Sequence, residues 1–204
     1  MEHPPTLEEQ GMAAFEILAK ELSNLPPKEA RLKAFHRVRD IAYGDIGSRN
    51  PFDVLAANKG TCSGKHALLR KLLESMGYKV QPWFATHDFS KFPVKEWPAE
   101  LLPYSSKILT DYHDFLKVSV DRKWVTVDAI FDADLGELGF PVTEWDGESD
   151  VPLPIMAEEV FQAEDDAEAQ KKKLLSALPT ETQTDRKDFL QALTKWIDGK
   201  RVAK

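Results

Sequence analysis

Cysteine occurs once, at Cys62, in a chain of 204 residues. No intramolecular disulfide can form, and a lone thiol suits a reducing compartment, so the cytoplasm is the expected location. No apolar run reaches the length that spans a bilayer. The first 25 residues lack the basic start, apolar stretch and small-residue cleavage site of a secretory signal. Lys and Arg are absent from Trp124 to Gln170, a stretch that holds 14 Asp and Glu. No Lys/Arg stripe interleaved with aromatics is found, which argues against a nucleic-acid partner. There is no Gly-rich phosphate loop and no Ser elbow motif. Paired C-x-x-C or H-x-x-x-H spacing is also missing, so neither a metal nor another cofactor is expected.

What remains is an ordinary globular composition, with 42% apolar and 30% charged residues and a net charge of −7. Outside the acidic stretch the balance reverses, with 27 basic against 20 acidic residues. That stretch reads either as a solvated surface or as an acidic field beside a site. If the second holds, Asp132 and Asp134 are the nearest carboxylates to a cleft, and neutral or cationic substrates would be preferred.

The N-terminal fifth reads as two helices. Thr6 and Glu9 form a capping-box pattern, followed by Met12, Phe15, Leu18 and Leu22 at helical spacing. Pro27 suits the first turn of the second helix, with Ala30, Phe35, Val38 and Ile41 behind it. Gly44 to Pro51 reads as a loop. Ala67, Leu68, Leu69, Leu72, Leu73 and Met76 then predict a helix ended by Gly77, which puts Cys62 at or just before its N-terminus. Tyr78 to Ala85 reads as a strand, Thr86 to Thr110 as a long connection, and Tyr112–Val120 and Trp124–Phe131 as two strands about a turn. Phe131 to Ile155 reads as irregular and Met156 to Leu178 as helical. Phe189, Leu190, Leu193, Trp196 and Ile197 predict a last amphipathic helix closed by Gly199. Two units are expected: residues 1–155 as the main domain, and 156–204 as a helical extension packed on it.

A helix N-terminus carries unpaired N–H groups and partial positive charge, which favour a thiolate. Gly60, Ser63 and Gly64 around Cys62 leave room for a substrate. His113 opens one strand, and Asp128 interrupts an otherwise apolar one, where a buried carboxylate needs a partner. If Asp121-Arg122 is a two-residue turn, Phe115 pairs with Asp128, and Asp128 becomes the diagonal neighbour of His113. His66, one turn after Cys62, is a polar residue that could line a cleft, and Tyr112 is another. Cys62, His66, His87 and His113 together lack the spacing of a zinc site.

Gly60-Thr61-Cys62 opening an apolar helix, His113-Asp114-Phe115-Leu116-Lys117-Val118, and Trp124-Val125-Thr126-Val127-Asp128 together resemble the transglutaminase-like superfamily of papain-related cysteine enzymes. The likeness covers roughly Val54 to Asp128. It implies an α+β fold in which a Cys-bearing helix packs on an antiparallel sheet, here with helical extensions at both ends. It also implies Cys62 as nucleophile, His113 as base and Asp128 as the group orienting the histidine. Asp114, Phe115 and Ala129 depart from the family pattern. The upstream Trp or Gln that completes the oxyanion site in relatives is missing, leaving the Cys62 N–H and Asn58 as candidate donors. The expected reaction is acyl transfer on a protein or peptide amide through a Cys thioester, with water favoured over an amine as acceptor. A non-catalytic binding module of the same fold is the alternative.

Overall fold

The computed structural model describes residues 3–91 and 97–202. Helix α1 (Leu7–Ser23) starts at the expected capping box, in which Glu9 N donates to the Thr6 hydroxyl at 3.2 Å and Thr6 N donates to the Glu9 carboxylate at 2.7 Å. Helix α2 (Pro27–Arg39) carries Pro27 in its first turn, where a missing N–H costs nothing. Strand β1 (Ala42–Tyr43), helix α3 (Pro51–Ala57) and strand β2 (Lys59–Gly60) lead into helix α4 (Cys62–Ser75), and β1 and β2 pair in parallel. Strand β3 (Val80–Asp88), two 3₁₀ turns (Phe89–Lys91 and Leu102–Tyr104), strand β4 (Thr110–Val120) and strand β5 (Lys123–Val127) follow. Helix α5 (Ala133–Gly136), strand β6 (Glu159–Gln162), helix α6 (Ala167–Ser176) and helix α7 (Thr180–Val202) complete the chain. The expected long connection includes residues 92–96, which lie outside the described residues.

The architecture is α+β. Four strands form an antiparallel sheet in the order β5-β4-β3-β6. Leu68, Leu69, Leu72 and Leu73 of α4 are fully buried in a core shared with Phe35 and Val38 of α2 and with Leu116, Val118 and Val127 of the sheet. Removing these side chains from water is the main force holding α4 against β4. Asp121 and Arg122 turn the chain with φ of 49° and 68°, and Val120 pairs with Lys123. Two consecutive positive φ values are what a tight hairpin demands. This fixes the register anticipated from the sequence.

Three local expectations are corrected. Met156 to Leu178 is not helical throughout, because Glu159–Gln162 pairs with Trp83 to Thr86 as the sheet's fourth strand. Gly199 does not close the last helix, which continues to Val202. β5 ends at Val127 rather than Phe131, because the backbone's hydrogen bonds leave the sheet there. Ala129 N donates to His66 Nε2 at 3.0 Å, and Ile130 N donates to Asp128 Oδ1 at 3.1 Å.

Lys65 is a buried cation inside this frame. It is fully buried, and its ammonium donates to the carbonyls of Arg39 (2.9 Å), Ile41 (2.7 Å) and Ile130 (2.5 Å). It therefore ties the end of α2, the segment entering β1 and the segment leaving β5 to α4. Burial lowers its pKa to about 7, although Asp132, Asp128 and Asp40 pull the other way. Among the described residues no helix is long and apolar enough to cross a membrane.

Candidate active site

Thr61 is the N-cap of α4 and Cys62 its first helical residue. The N–H groups of a first helical turn have no intrahelical acceptor. Gly60 and Gly64 owe their size to packing rather than to a substrate. A Cβ at Gly60 would lie 2.8 Å from a methyl of Val54, and one at Gly64 would lie 2.6 Å from the other methyl. Residues without side chains thus let α3 press against the turn that presents the thiol.

β5 stops opposite Leu116, which leaves the leading half of β4 open on that side. Cys62 meets β4 in this opened stretch. There one sulfur reaches both His113 and Asp114, although consecutive strand residues point to opposite faces.

His113 and Asp128 are both fully enclosed, and His113 Nε2 lies 2.5 Å from Asp128 Oδ2. With that nitrogen committed to the carboxylate, the other side of the ring is left free to interact with Cys62, which lines the same cavity. Burial opposes charging of the imidazole, but Asp128 and then Cys62 outweigh it and raise the His113 pKa to about 10. Asp128 is shifted the other way. Burial alone would raise its carboxyl, and His113 holds it well below the usual carboxylate range.

A second ion pair, missed in the sequence, crosses the sulfur. The Cys62 thiol lies 3.3 Å from Asp114 Oδ2 and donates to it. Lys171 of α6 places its ammonium 2.5 Å from that same oxygen, 3.1 Å from Ser63 Oγ and 3.5 Å from Cys62 Sγ. Burial would raise the Asp114 carboxyl, but Lys171 more than offsets this and keeps it ionised. A bare carboxylate beside the sulfur would oppose a thiolate, so Lys171 supplies the compensating charge. Lys171→Met is expected to slow alkylation of Cys62 at pH 6 by about tenfold. Asp114→Asn in that background should restore the rate; labelling with iodoacetamide reads both.

His66 lies at the buried junction of α4 and β5. Its Nδ1 is 3.0 Å from the Cys62 carbonyl, and its Nε2 accepts from Ala129 N at 3.0 Å. Its Nε2 also lies 3.5 Å from Asp128 Oδ1. Tyr112 turns away from the thiol toward Phe84 and Phe161. Asn58 sits in the left-handed region at the end of α3 and accepts from Arg37 at 3.0 Å, outside the cavity described below. Asp132 is buried, accepts from Tyr43 N at 2.7 Å and pairs with Arg201. Asp134 lies on the exposed side of α5. Among the described residues no group of three or more His, Cys, Asp or Glu could hold a metal ion.

A cavity of about 750 Å³ opens at Cys62 and His113. Its walls are mainly apolar, with Trp97, Leu101, Phe140, Phe189, Leu193 and Trp196 among them. The charged residues lining it are Arg49, Lys171, Lys172, Arg186 and Lys187 against Asp111 and Glu168. The expected acidic rim is therefore corrected. Of the acidic stretch only Glu168 reaches the cavity, while Glu144, Glu148, Glu158 and Asp165 pair with Arg39, Lys28, Lys91 and Arg70 elsewhere.

No family model and no curated protein matches the chain. Among solved structures, it is similar to a candidate cysteine protease from Cytophaga hutchinsonii. The TM-score is 0.41 and the identity 15%, over 62% of this chain and 39% of that one.

Proposed function

We propose that the chain is a cysteine enzyme with a papain-like, transglutaminase-like core that transfers an acyl group from an amide through a thioester on Cys62. The observation that carries this reading is His113, whose Nε2 lies 2.5 Å from the enclosed Asp128 carboxylate and which shares a cavity wall with Cys62 at the start of α4. His113 takes the Cys62 proton, and the thiolate adds to the amide carbonyl. His113 then protonates the leaving nitrogen, and the C–N bond breaks. Asp128 fixes the ring's orientation and stabilises its charged form. The Cys62 N–H and the Lys171 ammonium are the nearest groups able to meet the carbonyl oxygen as it gains charge. Water is the favoured acceptor, which makes the reaction an amide hydrolysis, and a lone reactive thiol suits the cytoplasm.

Labelling tests this reading. Cys62 is expected to react with iodoacetamide at pH 6 faster than free cysteine, because a helix N-terminus and a charged His113 nearby favour the thiolate. A rate that rises only above about pH 8 would show a thiol without an ion pair. That result would favour the non-catalytic module, in which Lys171 and Asp114 simply cover the sulfur of a buried residue.

A further inference from the structure

Two buried side-chain polar atoms among the described residues have no hydrogen-bond partner, Thr61 Oγ1 and Arg186 Nε. Both residues line the cavity at Cys62. Arg186 Nη2 lies 2.8 Å from Asp111 Oδ1, and Asp111 stands two residues before His113 on the same face of β4. A guanidinium held on the cavity wall by one carboxylate keeps further N–H donors for a second acceptor. Arg49, Lys171 and Arg186 are paired with Asp45, Asp114 and Asp111, which leaves Lys172 and Lys187 against Glu168 to favour an anion. Beyond this polar patch the walls are aromatic and aliphatic, and the volume suits a small molecule rather than a protein loop.

We infer that the acyl donor is a small amphiphile of the N-acyl amino acid class. Its apolar acyl chain lies among Trp97, Phe140, Phe189, Leu193 and Trp196, and its carboxylate accepts from the Arg186 guanidinium, whose side chain is 18% exposed. The inference rests on the acyl-transfer reading and names its substrate. The Cys62 thiolate adds to the amide carbon, the C–N bond breaks, and the amino acid leaves with the proton from His113. Water then gives a proton to His113 and adds to the thioester carbon. The C–S bond breaks, releasing a fatty acid and the thiolate.

Calorimetric titration of the Cys62→Ala protein separates binding from chemistry. N-decanoylglycine is expected to bind at least 100-fold more tightly than N-acetylglycine, since each buried methylene adds about a few-fold. It is also expected to bind about 10-fold more tightly than its own methyl ester, which lacks the charge. Arg186→Gln should erase the acid–ester difference and keep the chain dependence. Leu193→Trp, which fills the cavity without touching a charge, should erase the chain dependence instead. Equal affinity for the decanoyl and acetyl compounds would overturn the inference, as would equal affinity for acid and ester. Turnover by the unaltered protein reads the reaction separately. Tight binding of N-decanoylglycine without hydrolysis would keep the ligand class and remove the reaction. Hydrolysis that is indifferent to chain length would keep the reaction and remove the ligand class.

Discussion

His113→Ala is expected to lower acylation of Cys62 by about 10²- to 10⁴-fold, the usual contribution of a positioned base. The acylating reagent can be 4-nitrophenyl acetate, whose released phenolate reports the step directly. The imidazole that shares the cavity with the thiol is also the one held charged by Asp128, so its removal takes away both proton acceptor and counter-ion. The fast alkylation at pH 6 should disappear with it. Asp128→Asn should give a smaller loss, because the ring stays but its charged form loses its partner. The double variant should be little worse than His113→Ala alone, since the residues act in series. His66→Ala is the control. Its ring nitrogens meet the Cys62 carbonyl and Ala129 N, with Asp128 3.5 Å away, so it should cost stability and change the pH profile far less than His113→Ala. If His66→Ala abolished labelling at pH 6 while His113→Ala left it intact, the roles of the two histidines would have to be exchanged.

Lys65→Met is expected to destabilise the fold by about 3 kcal/mol or more, because it strands three buried carbonyls that share one donor. The loss should grow with alkalinity. Lys65 titrates at about 7 in the folded chain and at its ordinary value of 10.5 when unfolded. Between those values the unfolded chain binds the extra proton, so this residue makes stability rise with pH. His113 does the reverse. Its pKa is raised from 6.5 to about 10, so its contribution is complete below 6.5 and is lost as pH rises toward 10. The two slopes oppose each other across pH 7–10. With Lys65 replaced, the falling slope of His113 is left uncompensated. Urea denaturation at pH 6.5 and pH 9 measures both effects. A variant as stable as the parent at both values would show that the three carbonyls find other donors.

The parts of the site readable from sequence are those set by local geometry. The position of Cys62 follows from the apolar spacing behind it and from Gly77, and the approach of Asp128 to His113 follows from a two-residue turn and strand alternation. β6 escaped because Glu159-Val160-Phe161-Gln162 is a short edge strand whose only ladder is to β3, about 75 residues earlier, within a stretch dominated by acidic residues. Helix α7 runs through Gly199 because tertiary contacts hold its last turns. Asp198 pairs with Lys59, and Arg201 reaches the Tyr43 carbonyl at 2.9 Å. Lys171 looked like one more charge in a solvated run, since nothing in its own neighbourhood signals a carboxylate and a thiol brought to it from two other elements. The acidic stretch misled for a related reason. Its carboxylates neutralise basic side chains around the outside of the molecule, a pairing that composition cannot assign.

The wall that α7 gives the cavity divides the labour of this molecule between separate stretches of chain. Strand β2, helix α4, strands β4 and β5 and Asp128 just beyond β5 hold the thiol, the imidazole and the carboxylate in a helix-and-sheet frame. Phe189, Leu193 and Trp196, which shape the space beside them, sit on a single helix fixed to that frame by ion pairs such as Arg186–Asp111, Lys107–Asp185 and Lys59–Asp198. Substitutions on the inner face of that helix can remould what the cavity admits while bond-making geometry stays untouched. Selection can therefore diversify the guest without rebuilding the chemistry, and relatives that keep the frame but differ along this helix would be expected to differ in diet rather than in reaction.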